Sequence, residues 1–353
     1  MKRIFLRMYL TKNLGDDLFL KIISNRYRNV RFYILARNNY LRRYIGQNVR
    51  GRLIITRLIC RLFPCLTYPL FRLRKYDAEV VLGGSMFIER EPNKTKLLDE
   101  LNKKYIKDVP LFIIGANFGP FKNKYYLHEH KNVFRGANDV CFRDNYSAGL
   151  FSDLDNVRVA PDIVFSLDVK EYLVKQSRKV FISVLNLERR DELKTFLEGY
   201  ERKLAEIIDR YSSCDYEVVL SSFCKAEGDE ESVERVLNMT HGGNVHICRY
   251  DGNIDEVLKQ ISSSEIVIGT RFHAIILGLL FEKKVLPIIY SEKTRNTLND
   301  IGFNGKLIAM HEVSKLDVSK IEDYLTKYDS IDSLRKEAKG HFSKLDEFLR
   351  REN

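Results

Sequence analysis

The chain has 353 residues, 44% of them hydrophobic, and a formal charge of +11 from 59 Lys and Arg against 48 Asp and Glu. That is too long for one ordinary core and apolar enough for two compact domains. No run of about 20 uncharged apolar residues occurs, and the opening MKRIFLRMYL meets charge too early for a signal peptide, so a cytoplasmic location is expected.

In chain order the first half reads as a strand over Ile4 to Tyr9, a helix from Asp16, strands over Val30 to Leu35 and Glu79 to Leu82, a helix from Lys94, and strands over Leu111 to Ile114 and Asp139 to Phe142. Such alternation is the rhythm of a parallel βαβ sheet. The second half restarts it with Lys179 to Val184, a helix over Asp191 to Tyr211, Glu217 to Leu220, a helix over Asp229 to Met239, Val245 to Ile247, and a helix over Ile254 to Ser262. A buried strand, Ile266 to Ile268, then turns through Gly269 and Thr270 into a helix over Arg271 to Phe281 and a last strand over Val285 to Ile289.

Two Rossmann-like α/β domains fit this pattern better than one sheet. Residues 168 to 178, after Pro161, lose clean periodicity, so the expected domains are 1–170 and 171–353. From Ser314 onward, Ile321, Tyr324, Leu325, Phe342, Leu345 and Phe348 in charged sequence predict terminal helices, grouped with the second domain and packing back across both.

The six cysteines lack the paired spacing of a zinc site or redox pair, so no metal is expected and reduced thiols are. The positive charge suits an acidic ligand or surface. Between Arg42 and Lys75 stand nine Lys or Arg and no acid, interleaved with Ile54, Ile55, Leu58, Phe63 and Phe71. The stretch reads equally as an interfacial helix on anionic lipid or as the solvated face of a packed helix.

Five polar or glycine-rich loops follow strands, at Asn13 to Asp17, Gly83-Gly84-Ser85, Gly115 to Pro120, Arg143-Asp144-Asn145, and Thr270 to His273. In a two-domain α/β protein such loops line the carboxyl ends of the sheets, where ligands bind. Neither GxGxxG nor GxxxxGK[ST] is present, which argues against a dinucleotide fingerprint and a P-loop. Arg271 and His273 leave an otherwise apolar scaffold at a helix start, a setting that favours an anion. Arg143 offers a planar fork to carboxylate or phosphate, or else a bridge to Asp144 or Asp162. Asp16 and Asp17 open a helix, where capping competes with a role as general base.

Taken in order, NLGDD, VVLGGS, IIGANFGP, CFRDNYSAGLF, APDIVFSL, VVLSSF with a downstream GDEE, and IGTRFHAIILGLLFEKKVLPIIYSEKTRNTLNDIG resemble the polysaccharide pyruvyl transferase family over about residues 10 to 305. The R-x-H pair and its apolar helix are the most specific part. Ser85 stands where a third glycine is common, Ala116 where Gln is common, and Ser221 to Cys224 lacks a His often found there. The resemblance implies a GT-B-like fold, two domains facing a central cleft, with no required metal or cofactor. It also implies transfer of a pyruvyl group from phosphoenolpyruvate to two hydroxyls of a lipid-linked or nucleotide-linked sugar. A cyclic ketal forms and phosphate leaves, in the making of capsule, exopolysaccharide or cell-wall glycan.

On that basis Arg271, Arg143 and Lys293 are the expected donor ligands, with Arg143 reaching from the other domain. His273 is the expected acid and Asp16 or Asp17 the base. Gly83, Gly84, Ser85 and Asn117 are expected to shape the acceptor pocket on the first domain. The alternatives are a glycosyltransferase of the same fold using a nucleotide sugar, and a basic non-catalytic protein binding nucleic acid or acidic polysaccharide. No nucleic-acid-binding signature supports the last, and no nucleic-acid partner is expected.

Overall fold

A computed structural model describes residues 1–34, 48–51, 76–89 and 109–351. The predicted helix from Lys94 and all of the basic 42–75 stretch except residues 48–51 lie outside them. The described chain divides into two compact units, one of residues 1–10, 19–163 and 337–353, the other of residues 11–18 and 164–336. The division thus falls at 163/164 rather than 170/171. Residues 11–18 count with the second unit and residues 337–353 with the first, the reverse of their sequence-based assignment.

The first unit is built on a parallel sheet of β1 (Arg3–Arg7), β2 (Arg31–Ile34), β3 (Val49–Gly51), β4 (Ala78–Leu82), β5 (Leu111–Ala116), β6 (Asp139–Phe142) and β7 (Val157–Val159). Their order is β3-β2-β1-β4-β5-β6-β7. β4, β5 and β6 are buried along their whole length, as expected of parallel strands covered on both faces. The second unit repeats the plan with β8 (Lys179–Val184), β9 (Glu217–Ser222), β10 (Val245–Arg249), β11 (Ile266–Gly269), β12 (Lys284–Ile289) and β13 (Ile308–Ala309), in the order β10-β9-β8-β11-β12-β13. A short β14 (Thr326–Lys327) pairs antiparallel with β12. Each order reverses once, between β1 and β4 and between β8 and β11, and such switch points are where open α/β sheets bind ligands.

Helices connect these strands for local reasons. Leu197–Ser212 buries Tyr200, Leu204, Ala205, Ile208 and Tyr211 along one stripe. The Asn253 side chain accepts from the Glu256 amide and starts Ile254–Ser263. Asn13, not Asp16, caps the helix Leu14–Arg26, its side chain accepting from the Gly15 amide at 3.0 Å and its carbonyl from that of Asp17. Among the described residues no helix is long and apolar enough to cross a membrane. The charged sequence after Ser314 forms short 3-10 turns and β14 before the helices Ile331–Ala338 and Ser343–Arg350.

The first unit's core holds a fully buried imidazole. His130 lies 4.1 Å from the Tyr126 ring, 5.2 Å from Phe118 and 5.5 Å from Phe87, centroid to centroid. Its Nδ1 is 2.8 Å from the Tyr126 carbonyl. Burial lowers its pKa to about 4, and burial lowers that of His341, also 0% exposed, to about 4. An unfolded histidine titrates near 6.5, so between about pH 6.5 and 4 only the unfolded chain takes up these protons. Their stabilising contribution is therefore complete above about pH 6.5, lost as pH falls through that window, and gone below about 4. Urea unfolding at pH 7 and pH 4.5 should show the wild type losing about 2 kcal/mol more than His130→Leu over that interval. Equal losses would show that His130 is not kept neutral by burial.

Candidate active site

The carboxyl ends of β8, β9 and β11 meet around Arg271, which precedes the helix Phe272–Leu280 and is 6% exposed. The Arg271 and Thr270 amides both donate to the Ser183 hydroxyl at the end of β8, at 3.1 and 3.0 Å. Thr270 Oγ1 in turn accepts the Tyr200 hydroxyl at 2.9 Å. The turn that carries Arg271 is therefore fixed by its neighbours before its side chain makes any contact.

The guanidinium is gripped from two sides. Nε donates to Asp229 Oδ2 at 2.9 Å, Nη2 to Asp229 Oδ1, and Nη1 to Glu227 Oε2 at 2.7 Å. Asp229 has a fully buried side chain and also accepts the amides of Phe223 and Cys224, each at 3.0 Å. Burial alone would lower the pKa of Arg271, but the two carboxylates outweigh it and raise the value. Burial would likewise raise that of Glu227, yet Arg271, then Arg190 and Lys293, hold it down at about 2. Arg190 Nη2 reaches Glu227 Oε2 at 2.7 Å, and Asn13 Nδ2 reaches Oε1 at 3.2 Å. The Arg190 guanidinium also lies 5.3 Å from the centroid of the Tyr290 ring, whose pKa Lys293 and Arg190 lower against the effect of burial.

His273 follows on the same helix, and its ring lies directly against Gly15. A Cβ at position 15 would fall 1.9 Å from His273 Nδ1, so only glycine admits this approach. The 11–18 segment is joined to the residues just after β9 by a bridge between Asn13 and Cys224 and by the Leu14 amide donating to the Phe223 carbonyl at 3.2 Å. His273 is thereby beside the first turn of the helix that carries Asp16 and Asp17. Asp17 is 2% exposed and accepts the Tyr250 hydroxyl on Oδ2 at 2.5 Å, whereas Asp16 is half-buried.

A separate cluster forms in the first unit. Arg143 donates from Nη1 to Asp162 at 2.9 Å and from Nη2 to Asn117 Oδ1 at 2.7 Å. The Asn117 amide donates to the Gly84 carbonyl at 2.7 Å, and Ser85 Oγ stands 3.5 Å from Asn117 Oδ1. Gly84 lies under the Arg143 guanidinium, where a Cβ would come within 2.6 Å of Nη1. The structure thus gathers Arg143 with Gly84, Ser85 and Asn117, beside Gly83, and gathers Arg271, His273, Lys293, Asp16 and Asp17 in the second unit. The bridge from Arg143 to Asp162 is one of the partnerships considered from sequence.

The sequence reading gave no role to Asp229, Glu227, Arg190, Tyr250 or Tyr290, and carried Asn13 only as part of the loop Asn13 to Asp17. For Asp229 a signal existed, as the acid of GDEE that opens a helix after Gly228. Among the described residues no three His, Cys, Asp or Glu side chains converge so as to hold a metal ion.

The order of loops, the arginine-x-histidine pair and the paired parallel sheets coincide with a family match. The family model described as Polysaccharide pyruvyl transferase covers residues 13–292, and the chain belongs to that family. A curated relative, the amylovoran biosynthesis protein AmsJ of Erwinia amylovora, is 23% identical over 290 residues, spanning 74% of this chain and 68% of its own. Among solved structures, UDP-GlcNAc 2-epimerase from Neisseria meningitidis bound to UDP-GlcNAc superposes with a TM-score of 0.62 at 11% identity, covering 98% of this chain and 100% of its own. Anabaena HepE in complex with UDP and glucose gives 0.56 at 15% identity, covering 99% and 98%. These likenesses establish the fold, which is GT-B-like. The protein is a transferase-family member of polysaccharide biosynthesis.

The Arg271 cluster predicts a stability hierarchy. Asp229→Ala strands a buried guanidinium and two backbone amides, and should cost about 3–5 kcal/mol in urea unfolding. Asp229→Asn keeps the acceptor oxygen and should fall between the variant and wild type. A loss below about 1 kcal/mol for Asp229→Ala would show that the pair does not organise the site.

Proposed function

We propose that the protein transfers the pyruvyl group of phosphoenolpyruvate to two hydroxyls of a sugar, forming a cyclic ketal and releasing phosphate. One observation carries the reading: at the switch point of the second unit, Arg271, Arg190 and Lys293 converge, with His273 two residues from Arg271 against Gly15. Phosphoenolpyruvate bears both a carboxylate and a phosphate, and such a cluster suits it.

In the proposed sequence His273, as imidazolium, gives a proton to the donor methylene, so that positive charge develops at C2. One sugar hydroxyl attacks C2 and loses its proton to a carboxylate. The C2–O bond to phosphate breaks and phosphate leaves with its bonding electrons. The second hydroxyl then attacks C2, passes its proton to the His273 imidazole left neutral by the first step, and closes the ring. Histidine suits the first step because its ordinary pKa lies near neutrality and a neighbouring phosphate favours the charged form. Asp16 is the better placed of the two bases, since Asp17 is buried and already accepts from Tyr250. Gly83, Gly84, Ser85 and Asn117 are proposed to bind the sugar. No cofactor beyond the donor is invoked.

Phosphate release from phosphoenolpyruvate, measured with lipid-linked and nucleotide-linked sugar acceptors, tests the activity. His273→Ala should lower turnover about 100-fold or more, the scale of a lost general acid, without a large change in melting temperature. Wild-type turnover in that variant would remove His273 from the chemistry. Thermal stabilisation by a nucleotide sugar, with none by phosphoenolpyruvate, would overturn the donor assignment in favour of glycosyl transfer.

A further inference from the structure

Asp229 and Glu227 both neutralise Arg271, yet they are built differently. Asp229 is fully buried, pairs with two nitrogens of the guanidinium and is fixed by the amides of Phe223 and Cys224. Glu227 has a side chain 37% exposed and stands at the end of a three-residue 3-10 turn, Lys225–Glu227, that closes on the left-handed Gly228 at φ 85°. Its carboxylate receives Arg271 Nη1 and Arg190 Nη2 on one oxygen and Asn13 Nδ2 on the other. Two guanidinium groups and an amide converging on one carboxylate make the donor set that an anionic substrate requires.

We propose that Glu227 is an internal competitor for the donor's anion: its carboxylate holds the place between Arg271, Arg190 and Asn13 that an anionic group of the donor takes when it binds. This rests on the reading of the second unit as the donor site. The division of labour follows from burial. Asp229 keeps Arg271 in position whichever anion is bound, because moving it would strand backbone amides. Glu227 can turn outward into water because its side chain is already partly exposed, and the contacts it gives up are replaced by those of the incoming anion. Its swing hands Arg190 and the outer nitrogen of Arg271 to the incoming anion. The exchange trades one carboxylate for another anion and so never leaves the arginines without a counter-charge. The same competition sets specificity: a neutral or weakly charged molecule cannot displace Glu227, whereas a compound carrying both phosphate and carboxylate can.

The strength of the existing grip is consistent with a built anion site. Arg271, Arg190 and Lys293 together hold the Glu227 carboxyl ionised far below the ordinary range.

The test is titration calorimetry of the full-length protein with inorganic phosphate and, separately, with phosphoenolpyruvate, on wild type, Glu227→Gln and Arg190→Gln. Glu227→Gln preserves size and an acceptor oxygen but removes the competing charge. It should tighten both ligands about tenfold, the effect of removing one nearby like charge. Arg190→Gln should weaken both. Weaker binding in Glu227→Gln would assign Glu227 to holding Arg271 in place and overturn the proposal, and unchanged binding would overturn it equally. If Glu227→Gln tightens phosphate while no acceptor yields pyruvyl transfer, the competitor role stands and the proposed reaction fails. If transfer is found but Glu227→Gln fails to tighten either ligand, the reaction stands and the competitor role fails.

Discussion

An arginine that is only 6% exposed has to be neutralised where it stands, and Asp229 does this for Arg271. The pairing reaches across chain positions 42 residues apart and joins the loop after β9 to the loop after β11. Everything at the strand ends of the second unit is arranged around it. Asp229 also ties the Phe223 and Cys224 amides, and this same segment is where residues 11–18 attach. His273 lies against Gly15 because that attachment brings Gly15 there. A buried ion pair is a poor source of net stability but a strong constraint on geometry, since breaking one half leaves an uncompensated charge. Here the constraint falls on Arg271 and His273, the residues to which the proposed chemistry is assigned.

The sheet order explains why the pair sits at that place. In both units the first strand of the unit is central, and the order reverses beside it, at β1/β4 and β8/β11. Loops leaving neighbouring strands at such a point run apart and leave room between them. In the second unit that room holds Ser183, Thr270 and Arg271, cross-linked through one serine hydroxyl. In the first unit Gly84, Asn117 and Arg143 instead follow β4, β5 and β6, to one side of the β1/β4 reversal. The two units thus place different chemistry at their strand ends, an arginine held by two carboxylates in one and an arginine held by one carboxylate and an amide in the other.

Most of the strands were legible because parallel strands covered on both faces are short runs of apolar residues between turns. Asp139 to Phe142, Lys179 to Val184 and the helix Asp229 to Met239 match the observed bounds. β3, β7, β13 and β14 escaped notice because two or three residues make too short a pattern. The family and the arginine-histidine pair were readable from ordered motifs. The partners of Arg271 were not, because an acid at a helix start also reads as a complement to the helix dipole, and only the fold shows Asp229 facing a guanidinium. The attachment of residues 11–18 to the second unit was equally hidden: nothing local in NLGDD distinguishes a loop that stays with its own sheet from one that joins another.

That attachment, together with the return of residues 337–353 to the first unit, means that neither unit is a continuous stretch of chain. The line between them is crossed at 10/11, 18/19, 163/164 and 336/337, and the second crossing falls inside the helix Leu14–Arg26. Cutting the gene once, at any codon, cannot yield two pieces that each carry their full complement of structure. A fragment beginning at 164 would lack Asn13 and Gly15, and with them the support of His273 and one ligand of Glu227. The site is therefore inherited as a single block: recombination that exchanges one half of the gene between relatives must carry the short segment 11–18 with the half that holds the arginine.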